Sequence, residues 1–73
     1  MNFSHYVVRL RDSRMYVGMN GEFTTFPNMT YKTTDLSEIQ GCYRRAQEKH
    51  QGAKLDIVHV TFRRVETVVR LEQ

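Results

Sequence analysis

The chain has 73 residues, of which 40% are hydrophobic, and its formal net charge is +3. This composition excludes an obviously disordered chain, and no apolar run approaches the roughly 20 residues that a bilayer-spanning helix needs. The length predicts one compact domain over residues 1–73, with a small core and little room for a deep pocket. The single cysteine, Cys42, cannot form an intramolecular disulfide, which favours a reducing cytoplasm.

The first half of the chain predicts a meander of short strands. Residues 3–11 form the first strand, in which the alternation places Tyr6, Val8 and Leu10 on one face and His5, Val7, Arg9 and Arg11 on the other. Residues 14–19 form the second strand, with Met15, Val17 and Met19 facing inward and Tyr16 outward.

A second hairpin follows at Asn20 and Gly21, because Asn-Gly is the strongest short-range signal for a tight turn between strands. It predicts a third strand over residues 22–26, which Pro27 ends because proline cannot donate to a sheet ladder. The pattern over residues 28–34 leaves two alternatives open, a loop or a short extended piece.

Residues 35–52 carry the clearest helical pattern. Asp35 is the predicted N-cap, Glu38 completes a pattern similar to a capping box, and Gly52 is placed to end the helix. Gly41 in the helix interior suggests close packing on the sheet, since glycine there costs about 1 kcal/mol. The predicted buried stripe consists of Leu36, Ile39, Tyr43 and Ala46.

The closing run, residues 55–71, predicts a last strand or pair of strands. Its apolar residues lie on even positions before Arg63 and Arg64 and on odd positions after them, which suggests a β-bulge at the two arginines. A C-terminal helix over residues 65–71 is the alternative. The whole pattern predicts an α+β domain, a small antiparallel sheet of three to four strands with one α-helix packed on one face.

No set of residues predicts catalysis, a metal site or a cofactor. The histidines and the cysteine have no metal-ligand spacing, no glycine-rich phosphate loop is present, and the carboxylates are dispersed along the chain. We therefore expect a binding module and not an enzyme.

Arginines provide the candidate contact residues. If the closing strand pairs beside the first, the arginines of both can merge into one basic stripe, which would dock acidic groups; an ordinary solvated face is the alternative. Tyr16 is the aromatic residue expected to be exposed beside it. The predicted partner-binding set is Arg9, Arg11, Arg14, Tyr16, Arg63, Arg64 and Arg70.

Three segments carry a resemblance to a known family: an early hairpin (HYVVRLRDSRMYVG), a capped helix (DLSEIQGCYRRAQEKHQG) and a valine-rich close (LDIVHVTFRRVETVVRL). In length and layout the chain resembles the small RNA-polymerase-binding transcription regulators of lytic Xanthomonas phages. The resemblance implies a bacterial cytoplasmic protein that binds the N-terminal region of the polymerase β′ subunit, inhibits initiation at host promoters and promotes antitermination.

Two other functions fit the same residues. One is a small basic domain that binds nucleic acid directly, although a net charge of +3 is low for that role. The other is a phage antagonist of a host defence nuclease, which needs only a stable binding surface.

Overall fold

The computed structural model describes residues 4–61 and 65–69. Along these ranges the chain forms five strands, one α-helix and one 3₁₀ turn, and the α+β prediction is confirmed. The elements are β1 (His5–Leu10), β2 (Tyr16–Val17), β3 (Phe23–Thr24), the 3₁₀ turn (Pro27–Met29), α1 (Leu36–Lys49), β4 (Leu55–Val60) and β5 (Glu66–Val69). The sheet has five strands where three to four were predicted, since the closing run contributes two.

All strand pairs are antiparallel, in the order β3-β2-β1-β4-β5. The first strand is therefore the centre of the sheet, and it pairs with β4 along its whole length, from His5 opposite Val60 to Leu10 opposite Leu55. β3 and β5 are the edges. Both edges are short, which limits the row of unpaired backbone groups that each exposes.

The turn between β2 and β3 contains the predicted Asn20-Gly21 pair. Gly21 has φ = 84°, and Asp12 is the only non-glycine residue with positive φ in the described ranges, so Asn20 is not left-handed. The amide of Gly21 donates to Gly18 O, and the amide of Gly18 donates to Glu22 O. Gly18 and Glu22 are therefore joined by a three-residue connection, and its last residue, Gly21, has the left-handed conformation.

β1 and β2 diverge beyond their pairing at Arg9 and Tyr16, and residues 30–33 fill the opening. Thr33 exchanges backbone hydrogen bonds of 2.7 and 3.3 Å with Tyr6, and the amide of Tyr31 donates to Val17 O. Of the two alternatives for residues 28–34, the extended piece is therefore correct from Thr30 onward. Through these hydrogen bonds, residues 30–33 hold the preceding 3₁₀ turn close to the sheet.

The helix begins at its predicted cap but ends at Lys49, before the predicted stop at Gly52. Asp35 is the N-cap, and its Oδ1 accepts from the amides of Ser37 at 2.8 Å and Glu38 at 3.4 Å. The Ser37 hydroxyl also donates to Oδ1 at 2.8 Å, and this hydrogen bond, followed by those from the two amides, lowers the pKa of Asp35. The capping box does not close, because Glu38 accepts from the hydroxyl of Thr33 at 2.7 Å instead. After Lys49 the chain leaves the helix through a turn in which Gly52 has φ = 90°.

The core lies between α1 and one face of the sheet. Three residues of the helix are buried, Ile39, Cys42 and Ala46. Tyr43, also predicted in the buried stripe, is only partly buried against the core. Leu36 is 40% exposed, so its place in that stripe is wrong. The sheet contributes Val8, Val17, Leu55 and Ile57. On the opposite face, Val7 and Val58 are also buried although no helix covers them.

The closing run is a hairpin and not one bulged strand. β4 ends at Val60, β5 pairs back onto it from Glu66 opposite Val60 to Val69 opposite Ile57, and the amide of Thr61 donates to Val65 O. The helical alternative is therefore wrong for Glu66–Val69. The predicted bulge at Arg63 and Arg64 lies outside the described residues. Ile57 pairs with Val69 and Val58 pairs with Val68, so odd positions of β4 share a face with odd positions of β5.

Gly41 does not mark close packing on the sheet, contrary to the prediction. A Cβ placed there meets only the mobile end of Arg45, with Nη1 at 3.3 Å. We expect Gly41→Ala to raise the free energy of unfolding by about 0.5–1 kcal/mol, because alanine favours a helix interior over glycine. Urea unfolding followed by circular dichroism measures this.

Gly18→Ala is the matched control for that substitution. A Cβ at Gly18 would lie 3.0 Å from Met29 O and 3.1 Å from Glu22 O, two backbone atoms that cannot move aside. We expect it to lower stability. A loss of stability in Gly41→Ala as well would show that the helix packs more tightly than described.

Candidate protein-binding surface

Two of the predicted contact arginines lie on the sheet face opposite α1, and both are ion-paired within the chain. Arg9 contacts Glu66 Oε1 through Nη1 at 3.0 Å. Arg11 contacts both carboxylate oxygens of Asp56, with Nη2 to Oδ1 at 2.9 Å and Nε to Oδ2 at 3.2 Å. The hydrogen bond to Asp56 raises the pKa of Arg11. The expected basic stripe is therefore charge-balanced at these two positions.

Tyr16 joins the same network. Its hydroxyl donates to Glu66 Oε2 at 2.7 Å, so one carboxylate links β5 to both β1 and β2. Partial burial raises the pKa of Tyr16, and the hydrogen bond to Glu66 adds to this effect. Tyr16 is only half-buried, in keeping with the prediction that it faces away from the helix. Its hydroxyl, however, is already engaged.

The remaining predicted contact residues divide into two groups. Arg14 is exposed between β1 and β2 and makes no ion pair within residues 4–61 and 65–69. Arg63, Arg64 and Arg70 lie outside the described residues. Whether they bind a partner stays a prediction.

A cleft opens on the same face, between the sheet and residues 25–32. It has a volume of about 410 Å³ and an apolar base at Val7 and Val60, while Lys32 and Glu66 contribute opposite charges to its lining. Partial burial lowers the pKa of His5 in this lining, and the charges of Lys32 and His59 act in the same direction. The mixed lining does not favour ligands of one charge.

An exposed apolar cluster lies on the side of β2 that faces away from β1. At this place the β2–β3 turn lies next to the 3₁₀ turn. Met19 is 69% exposed, Phe26 64% and Met29 47%. The amide of Met19 donates to Met29 O and the amide of Met29 donates to Phe26 O, so the backbones of the three residues lie next to one another. We call them the Met–Phe patch.

Sequence reasoning missed this patch. Strand alternation placed Met19 inward, which is wrong, because β2 ends at Val17 and the chain turns at Gly18. The available signal was the glycine before Met19, which weakens the alternation. Large exposed apolar side chains that adjoin one another mark binding surfaces more often than isolated ones do.

A groove separates α1 from the β2–β3 turn and reaches the patch at Met19. We call it the helix–turn groove; its volume is about 310 Å³. Buried Val17, Cys42 and Ala46 contribute to its lining, and burial raises the pKa of the Cys42 thiol. The full lining is Val17, Gly18, Met19, Asn20, Gly21, Tyr31, Cys42, Arg45, Ala46 and Lys49.

Three contacts fix the two walls of this groove relative to each other. His50 Nε2, at the end of α1, lies 2.9 Å from Gly21 O, and the His50 ring lies 4.3 Å from that of Phe23. Lys49 Nζ contacts Glu22 Oε1 at 2.6 Å, and this hydrogen bond lowers the pKa of Glu22. His50 therefore anchors the turn to the end of α1.

Within residues 4–61 and 65–69, no three histidine, cysteine or carboxylate side chains come together as metal ligands. The helix in that part of the chain is too short and too polar to cross a bilayer. Comparison with protein-family models, with curated proteins and with solved structures gave no match for this chain.

Proposed function

We propose that this chain is a phage-type transcription regulator that binds bacterial RNA polymerase, through the N-terminal region of the β′ subunit, in the host cytoplasm. In this role it inhibits initiation at host promoters and promotes antitermination. The polymerase is the partner that the resemblance in length and layout implies. The observation that carries a protein-binding role is the Met–Phe patch.

The composition of the patch suits a protein interface. Aromatic residues and methionine are enriched at the centre of interfaces, where charged residues are depleted. Met19, Phe26 and Met29 expose 69%, 64% and 47% of their surface, although the same chain buries Val8 and Ile39 completely. Methionine side chains also adapt to the shape of a partner, because they are unbranched and polarisable.

Direct nucleic-acid binding is the less favoured role. Affinity for a phosphate backbone grows with the number of cations that can displace counterions. Arg9 and Arg11 already have the carboxylates of Glu66 and Asp56 as partners. A partner with a phosphate backbone would have to compete with both.

The proposal is tested with the tagged full chain, purified polymerase core enzyme and an isolated β′ N-terminal fragment. We expect both polymerase species to be retained at low salt, and single-round transcription to show less initiation and more terminator read-through. Absence of retention at micromolar protein would overturn the proposal. A gel shift of labelled DNA or RNA by the chain alone, at about 50 mM salt, would favour the nucleic-acid role instead.

Phe26→Ser should weaken polymerase binding about tenfold, because aromatic side chains that become buried on binding contribute most of the affinity in many interfaces. Since Phe26 is 64% exposed, the fold should be unaffected. Val65→Ser is the matched control, since Val65 is 55% exposed but lies at the β4–β5 hairpin. Equal binding by the two variants would remove the patch from the interface.

A further inference from the structure

We propose that the helix–turn groove is the docking site for an acidic, apolar segment of the protein partner. An apolar side chain of that segment enters the groove over Cys42 and Ala46, and a neighbouring carboxylate pairs with Arg45. This inference rests on the proposed protein-binding function and specifies the chemistry of the partner. The acidic segment continues from the groove onto the Met–Phe patch.

The groove is already formed in the free chain. Its two walls, α1 and the β2–β3 turn, are held together by the contacts of His50 with Gly21 and Phe23 and by the Lys49–Glu22 ion pair. A pre-formed groove spares the partner the free energy of ordering these elements on binding. The volume of about 310 Å³ is at the lower end of the range for ligand sites, roughly 300–1,000 Å³. It suits one or two side chains better than a whole cofactor.

The interior of the groove is apolar because the sheet and the helix contribute small core side chains to it. Val17, Cys42 and Ala46 line it and are at most 7% exposed, and Tyr31 is partly buried beside them. An inserted apolar side chain would cover the small part of this surface that is still exposed to water. No carboxylate belongs to the lining.

The charge at the rim is positive. Arg45 and Lys49 are the charged residues of the lining. Lys49 is held by Glu22 at 2.6 Å, whereas Arg45 forms no ion pair with any residue in the ranges 4–61 and 65–69. Arginine presents a planar fork that matches a carboxylate with two hydrogen bonds, so Arg45 is the group that selects an acidic segment.

Met19 connects the groove to the patch, since it belongs to both. A segment anchored in the groove therefore meets Met29 and Phe26 next. One unpaired cation beside an apolar interior favours an acidic protein segment over a nucleic acid, which needs several cations along its backbone.

The direct test is an NMR titration of the ¹⁵N-labelled full chain with two synthetic dodecapeptides. One contains only Asp, Glu, Leu and Phe, and the other replaces its acids with Lys. We expect saturable shifts of the Met19, Arg45 and Lys49 amides with the acidic peptide, and none with the basic one. No saturable shift up to about 1 mM peptide, the range of the weakest specific binding, would overturn the inference. Shifts confined to another surface, or equal shifts at the groove with oligo(dT), would overturn it too.

Arg45→Glu should weaken binding of the acidic peptide about tenfold or more, because the exchange replaces an attractive charge pair with a repulsive one. Arg44→Glu is the matched control: it makes the same charge change one residue away, on an exposed side chain outside the groove lining. It should change affinity less than twofold. Equal losses in both variants would show a response to net charge alone and would overturn the groove as the site.

The same two variants separate this inference from the proposed function. If polymerase retains the wild type and both variants equally, the groove is not the docking site, while polymerase binding stands. If the acidic peptide binds the groove and polymerase does not bind the wild type, the polymerase proposal fails and the acidic-segment site stands. Weaker retention of Arg45→Glu than of Arg44→Glu supports both.

Discussion

Ile39→Ala is expected to lower the free energy of unfolding by about 2–5 kcal/mol, because it removes buried methylene groups and leaves a cavity that the surroundings fill only in part. Ile39 is fully buried where α1 meets the sheet, and it is among the largest completely buried side chains. A domain of 73 residues has a total stability of about 4–11 kcal/mol, so this loss would leave a measurable unfolded fraction. Urea unfolding at 25 °C, followed by far-ultraviolet circular dichroism, measures it.

Leu36→Ala is the control on the same helix. Leu36 is 40% exposed at the first position of α1, so its truncation leaves no closed cavity and should cost less than about 1 kcal/mol. Similar losses in the two variants would contradict the described packing of α1, because a rotation of the helix would then place Leu36 in the core.

Glu66→Ala is expected to lower the free energy of unfolding by about 1–2 kcal/mol. The substitution removes the acceptor of Arg9 Nη1 at 3.0 Å and of the Tyr16 hydroxyl at 2.7 Å. The side chain of Arg9 is only 22% exposed, and its Nε is buried without a hydrogen-bond partner among residues 4–61 and 65–69. Without Glu66 the guanidinium charge would lose its carboxylate partner in a largely buried position. The expected loss of stability is smaller than for a fully buried ion pair, because the Glu66 side chain is 34% exposed and water screens its charge.

The pKa of Tyr16 supplies a second readout of that network. Burial and the hydrogen bond to Glu66 both raise it, whereas the charge of Arg9 lowers it, so the pKa should fall in Glu66→Ala. A pH titration of the tyrosine ring carbons by NMR follows this. Glu48→Ala is the control, because the Glu48 side chain is exposed and makes no hydrogen bond or ion pair within the described ranges. Unchanged stability and unchanged Tyr16 titration in Glu66→Ala would contradict the network.

Local pattern was sufficient for the parts of the fold that depend on near neighbours. The cap at Asp35 and the helix that follows it are confirmed, since a capping carboxylate and the amides it satisfies are two and three residues apart. The alternation of Tyr6, Val8 and Leu10 identified the face of β1 that packs towards the helix. The positive φ of Gly21 likewise follows from its place in the turn.

The candidate site was less predictable, because its contacts join residues that are distant in sequence. Arg9 and Glu66 are 57 positions apart, and Arg11 and Asp56 are 45 apart. The residues next to an arginine in the sequence do not indicate whether a carboxylate will lie opposite it on the neighbouring strand. The arginines were therefore predicted as contact residues without the intramolecular partners that two of them have.

By itself the sequence determined the α+β class, the helix with its cap and the side-chain alternation of the first strand, because hydrophobic periodicity and turn chemistry act over a few residues. The tertiary structure alone decided that the closing run pairs as a hairpin, that Met19 faces outward and that Arg45 borders an apolar groove. Each of these depends on which strands and turns come to lie side by side, and chain reversals bring together residues that share no local pattern.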